Sequence, residues 1–155
     1  MNSETGVQAD PAFLALLPAL EARLPTLERG ELAEAMAPVM ARLQEPIPAD
    51  QRAPVAEAVM GLCRRLFAGA RSADALPLAR ALLSQSILAD DPVLERRASG
   101  VCGLLAADTA DVVGAIGYHA RALQLAEAER NPVDQTTIWN NIGLAFRMAG
   151  NTERA

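Results

Sequence analysis

Residues 139–155 read WNNIGLAFRMAGNTERA, and their spacing decides the fold. Trp139, Ile142, Gly143 and Phe146 recur at the three- and four-residue intervals of one helix face. Gly150 then offers a turn, and Ala155 a small residue at the start of a further helix. Such alternation of large and small serves packing: bulky side chains fill space, while glycine lets a neighbouring helix come close. The stretch reads as the first helix and turn of a two-helix unit.

The pattern returns upstream at forty-residue intervals. The segments GELAEA (30–35), ARSADA (70–75), ADVVGA (110–115) and GNTERA (150–155) align, with Ala35, Ala75, Ala115 and Ala155 in register. Leu62, Cys102 and Ile142 keep the same interval, as do Cys63, Gly103 and Gly143, and Leu66, Ala106 and Phe146. Turns, caps and core positions repeat together, which a chance alignment of alanines does not produce. Gly103 and Gly143 are expected to admit a partner helix, with Ala115 and Ala155 as the small surface opposite. One such unit cannot bury its apolar face alone, so neighbours stack into a solenoid.

Helix boundaries follow from local chemistry. Asp10-Pro11, Asp91-Pro92 and Asn131-Pro132 each set a capping side chain before a proline that loses no hydrogen bond at the first helical position. EPIPAD (45–50) is a linker, with Asp50 expected to cap the helix after it. Leu14, Leu17, Leu20, Leu24 and Leu27 form one apolar stripe, and Leu62, Leu66 and Ala70 another. The expected fold is an all-α right-handed solenoid of antiparallel helix pairs, about seven helices, near 11–28, 31–44, 51–68, 72–89, 92–108, 111–129 and 132–149. An eighth would begin in the last residues. Residues 1–10 are expected to form a flexible tail, and the units to fall near 11–45, 51–90, 92–130 and 132–155, the last one incomplete.

Bulk composition agrees. The chain has 155 residues, 51% of them hydrophobic but only 3% aromatic, with 32 alanines. Alanine is the strongest helix former and packs closely, so helices are favoured over a β-sandwich. The net charge of −5 is spread along the chain, and all fourteen basic residues are arginine. No cluster of cations marks a nucleic-acid surface. No apolar run reaches the roughly 18 residues of a membrane span, and the polar start MNSETGVQAD is no secretory signal. Cys63 and Cys102 lie far apart without a CxxC spacing, which points to a reduced, cytoplasmic protein.

The final stretch resembles the first helix and turn of a tetratricopeptide repeat. That family's Trp, Leu-Gly, aromatic, turn Gly and second-helix Ala correspond to Trp139, Ile142, Gly143, Phe146, Gly150 and Ala155. The preceding segment AIGYHARALQLA (115–126) is similar to the family's second helix at Ala115, Ile116, His119, Ala122 and Leu123. The middle units depart from the pattern, with Cys63 for Gly and Ala106 for the aromatic. The usual period is 34, and forty implies lengthened helices. The longer form resembles arrays placed upstream of bacterial diguanylate cyclases, histidine kinases and transcription activators. The resemblance implies a non-catalytic interaction or sensory module, the N-terminal part of a larger signalling protein such as a GGDEF diguanylate cyclase. It also implies a groove lined by first helices, holding a protein or peptide partner or an output domain of the same chain. The register places Glu57, Met60, Arg64 and Phe67 there from one unit, Arg97, Leu104 and Asp108 from the next, and Asn140, Leu144, Arg147 and Met148 from the last. Arg64, Arg97 and Arg147 would bind carboxylates, and Asn140 a peptide backbone.

Catalysis finds little support. His119 is the only histidine, with no second histidine, paired cysteine or HExxH spacing to make a metal site. It occupies a bulky packing position. Cys63 and Cys102 occupy small-residue positions, where a buried, inert thiol is expected. No glycine-rich phosphate loop occurs, and no cofactor or metal is expected. The competing reading is a small enzyme pairing His119 with a thiol, which requires the two within hydrogen-bond reach. A last expectation concerns the incomplete unit. Trp139, Ile142 and Phe146 would stay exposed without a following helix, and a homodimer built on them would cover the patch.

Overall fold

The computed structural model describes residues 11–152, which form seven α-helices: α1 (Pro11–Arg23), α2 (Arg29–Arg42), α3 (Ala49–Ala68), α4 (Ser72–Leu88), α5 (Pro92–Asp108), α6 (Val112–Ala128) and α7 (Pro132–Thr152). No strand occurs among the described residues, and no helix is long and apolar enough to cross a membrane. From α3 onward each helix packs on the next, and α1, α3, α5 and α7 also touch in succession.

The forty-residue interval resolves into two halves of twenty. Helices α4, α5 and α6 each have 17 residues, and three-residue turns join them. Ala70, Asp90, Ala110 and Arg130 stand at φ of 56°, 50°, 63° and 55°. After each, an amide reaches back across the helix end: Arg71 N to Leu66 O at 2.8 Å, Asp91 N to Ser86 O at 3.0 Å, Asp111 N to Ala106 O at 2.9 Å, and Asn131 N to Ala126 O at 3.0 Å. These are Schellman caps, which usually place glycine at the left-handed position. Here alanine, aspartate and arginine accept a backbone that costs a non-glycine residue about 1–2 kcal/mol. A short turn every twenty residues lets each helix pack on the next, and that packing offsets this.

Helix starts follow the side-chain caps. Asp91 accepts from Leu94 N at 3.0 Å and Asn131 from Asp134 N at 3.1 Å, and Asp111 does the same for Gly114 N at 2.9 Å without a proline beside it. Asp10 lies outside the described residues. Asp50 is not a cap: α3 begins at Ala49 behind Pro48, and Asp50 sits in the first turn, where its charge still favours the helix dipole.

Two ends differ from expectation. Helix α1 stops at Arg23 and tightens into a 3-10 turn over Leu24–Thr26, because Pro25 disfavours helical backbone at the residue before it. Helix α7 runs through Gly150 and Asn151 to Thr152, so the expected turn at 150 is absent. Glycine inside a helix costs only about 1 kcal/mol. A reversal is rewarded only where a following helix packs back, and none does among the described residues. Ala155 lies outside them.

The core changes character along the chain. Phe13, Leu17, Leu32, Leu43, Leu62, Leu66, Leu78 and Leu82 belong to one large cluster spanning α1 to α5. Between α5, α6 and α7 the buried residues are mostly alanines: Ala106, Ala107, Ala115 and Ala145 in one group, Ala122 and Ala126 with Ile138 in another. Alanine surfaces let those helices lie close. Arg96 ties the same region together, pairing with Glu129 at 3.0 Å and with Asp134 at the start of α7.

Candidate functional site

First helices of three successive units converge on one cleft. Phe67 of α3, Leu104, Ala107 and Asp108 of α5, and Asn141, Leu144 and Met148 of α7 line it, with His119 of α6 as its floor. It encloses about 40 Å³ and adjoins a hollow of about 100 Å³ bounded by Ala107, Asp108, Ala110, Val112 and Met148. The walls are largely apolar, and Asp108 at the rim accepts a hydrogen bond from Ser72 Oγ. Five residues that the repeat register assigns to a groove, Phe67, Leu104, Asp108, Leu144 and Met148, thus border one depression.

The remaining assigned residues are dispersed. Arg64, Asn140 and Arg147 are exposed and line none of these hollows. Arg97 pairs with Glu57 at 2.6 Å and borders a separate hollow with Arg52 and Asp91. Met60 is buried in the core. Asn141, one position beyond Asn140, is the asparagine at the cleft. One residue rotates a helix by about 100°, and degenerate repeats do not fix the register that finely.

Gly103 explains the cleft floor. A Cβ built there would lie 2.5 Å from His119 Cε1 and 2.7 Å from both ring nitrogens. The imidazole therefore rests on the α5 backbone. Gly103 does admit the partner helix, but His119 faces it where Ala115 was expected. Ala115 packs instead within the alanine cluster of Ala106 and Ala107. At Gly143 nothing among the described residues lies within 4 Å of an added Cβ, so no described helix approaches there.

His119 is 1% exposed and its Nδ1 has no hydrogen-bond partner among the described residues. Burial pushes its pKa below 6.5, since desolvation disfavours the charged ring. A base with a depressed folded pKa binds fewer protons folded than unfolded, so stability rises with pH through this group. Its contribution is full above 6.5 and is lost as pH falls from there toward the folded value. The melting temperature should therefore drop on acidification below pH 6.5, and His119→Gln should flatten that part of the profile. An identical pH profile in the variant would show the group to be uninvolved.

Both thiols are free and buried. Desolvation pushes Cys63 and Cys102 up to about 12, so neither is a thiolate nucleophile at neutral pH. Cys63 Sγ lies 3.7 Å from Ala75 O, a packing contact to α4. No group of His, Cys, Asp and Glu among the described residues has metal-binding geometry. The larger hollow, about 390 Å³ between α4, α5 and α6, is bordered by Ile87, Ser99, Gly114, Gly117 and Tyr118. Ser99 occupies the repeat position of Trp139, and its small side chain accounts for part of that space.

On α7, Trp139 is 58% and Phe146 57% exposed, while Ile142 is half-buried. Ile142 packs against the cluster of Ala122, Ala126 and Ile138, whereas Trp139 and Phe146 stay largely open among the described residues. Neither a family model, nor a characterised protein, nor a solved structure matches this sequence, so the reading of the cleft rests on its own geometry and on the internal repeat.

Proposed function

We propose that this chain is a tetratricopeptide-type right-handed solenoid of antiparallel helix pairs, working without catalysis as the interaction or sensory part of a cytoplasmic bacterial signalling protein. The observation that carries the reading is the convergence of Phe67, Leu104 and Leu144, from three successive first helices, on one mostly apolar cleft. Three-residue turns between packed 17-residue helices support antiparallel pairing. Such a cleft suits a single apolar side chain of a peptide. Arg64 and Arg147 pair with no carboxylate among the described residues, and nearby acidic groups of a partner would suit them. A GGDEF diguanylate cyclase is the output domain that an N-terminal array of this period most resembles; a histidine kinase or transcription activator is the alternative by the same analogy.

Selection of a displayed peptide library against the chain tests the interaction role. Peptides with an apolar anchor beside acidic residues should be enriched, and Phe67→Glu or Leu144→Glu should abolish their binding while leaving the helical circular dichroism intact. Both side chains are over a third exposed, so the substitutions spare the core. Enriched peptides indifferent to both substitutions, or no enrichment, would overturn the assignment of the cleft. The coding sequence following codon 155 would separate the three output domains.

A further inference from the structure

The hollow of about 390 Å³ between α4, α5 and α6 shares no residue with the cleft. Leu83 and Ile87 of α4 form one wall, Gly114, Gly117 and Tyr118 of α6 the other, and Ser99 of α5 the floor. Its origin is a departure from the repeat. Ser99 stands where Val59 stands one unit earlier and Trp139 one unit later, so the smallest of the three side chains borders the space. Gly117 adds to it: the residue forty positions earlier is Pro77, and nothing among the described residues lies within 4 Å of a Cβ placed at Gly117. Ser99 is 0% exposed, and its hydroxyl has no hydrogen-bond partner among the described residues. Buried polar groups are nearly always paired, so one left open calls for a partner. The charged groups at the rim engage one another instead. At one end Arg121 Nε donates to Glu95 Oε1 at 2.6 Å. At the other, Asp111 accepts from Gly114 N at 2.9 Å and faces Arg80, whose Nε donates to Tyr118 Oη at 2.9 Å. Asp111 and Arg121 stand ten residues apart along α6, which is about 15 Å of helix.

We propose that this hollow binds a small, neutral, planar molecule of two fused rings that carries one N–H or O–H donor for Ser99. Size sets the ring count. A cavity of about 150 Å³ holds benzene, and ligand sites run from about 300 to 1,000 Å³, so 390 Å³ has room for a second ring. Shape follows from the walls: Gly114 and Gly117 present bare helix backbone opposite Leu83 and Ile87, and a flat ring slots between them beside Tyr118. Neutrality follows from the rim, where Arg121 and Arg80 already face Glu95 and Asp111. A donor is favoured because a serine hydroxyl within a helix can turn its own proton to the carbonyl one turn back, which leaves its lone pairs for the ligand. A free molecule suits the hollow better than a peptide, because a chain crossing either end would strip water from those ion pairs at a cost.

Indole is the probe, and N-methylindole is the same ring system without the donor. An amide NMR titration of the 155-residue chain should show saturable binding of indole, with the Gly114 and Gly117 signals moving. N-methylindole should bind about five- to tenfold more weakly, the difference that one hydrogen bond makes. Ser99→Ala should bring the two to equal affinity; it removes an unpaired hydroxyl and adds no atom, so the fold is spared. Gly117→Leu should abolish binding of both, because its side chain enters open space and fills the hollow without disturbing the helix. Helical melting curves check that both variants are folded. Phe67→Glu and Leu144→Glu, which alter the peptide cleft, should leave indole binding unchanged, so failure of one site is told apart from failure of the other. The proposal is overturned by an absence of saturable indole binding, by equal affinity for the two probes in the wild-type chain, or by indole binding that persists in Gly117→Leu. Loss of indole binding in the cleft variants would place the ligand there and overturn it as well.

Discussion

Replacing Gln85 by leucine is expected to cost about 3–5 kcal/mol of folding stability, a large share of the roughly 5–15 kcal/mol that a domain possesses. Gln85 is 3% exposed, on the α4 face that meets the link between α2 and α3. That link, residues 43–48, is irregular backbone: the amides of Leu43, Gln44 and Glu45 still donate to α2 carbonyls, but Ile47 N and the carbonyls of Leu43 and Glu45 find no backbone partner among the described residues. One carboxamide serves all three. Its Oε1 accepts from Ile47 N at 3.2 Å, and its Nε2 donates to Leu43 O at 2.7 Å and Glu45 O at 2.9 Å. Leucine has similar bulk and cannot make any of these bonds. Each buried group left unpaired costs about 1–3 kcal/mol, with Glu45 O, nearer solvent, at the low end. Urea unfolding followed by circular dichroism measures the loss, and a change under about 1 kcal/mol would mean that water replaces the amide.

Nothing about Gln85 was visible in the sequence, and the reason is physical. A helical stripe announces itself because several residues share a period, whereas a clamp is one residue whose partners lie some forty positions away. Periodicity was informative wherever it was dense. From residue 72 onward the helix ends fall within a residue of those read from caps and prolines, until α7 passes through Gly150. The half-period of twenty is not legible in the sequence because its turn residues are Ala70, Asp90, Ala110 and Arg130, which carry none of glycine's compositional signal. At the cleft, positions on the repeat register located Phe67, Leu104 and Leu144, but could not tell Asn140 from Asn141. Nor could they show that His119, one turn beyond Ala115, is the residue that rests on Gly103. Helix crossing decides such contacts, and spacing along one chain does not encode it.

Two glycines forty residues apart should answer mutation with opposite signs. At Gly143 an added methyl enters open space, so in the monomer Gly143→Ala should stabilise by about 1 kcal/mol through helix propensity alone. At Gly103 the first added carbon falls 2.5–2.7 Å from three atoms of the His119 ring, far inside van der Waals contact. The ring is rigid and 1% exposed, so it has no outward rotamer to take. Relief requires α5 and α6 to separate, which would open the alanine contacts of Ala106 and Ala115 beside it. Overpacking of this kind costs about 1–3 kcal/mol. In Gly103→Ala the gain in propensity offsets about 1 kcal/mol of that, whereas Gly103→Val adds two further methyls and gains little propensity. A loss of about 3 kcal/mol is expected for the valine. The cause can be isolated with His119→Ala as background. Removing the ring makes room for valine, so Gly103→Val should then cost appreciably less, with a coupling of about 1–2 kcal/mol in the double-mutant cycle. Thermal or urea unfolding of the four chains supplies the cycle. Equal costs of Gly103→Val with and without the imidazole would show that the close approach at Gly103 is not what holds α5 and α6 together.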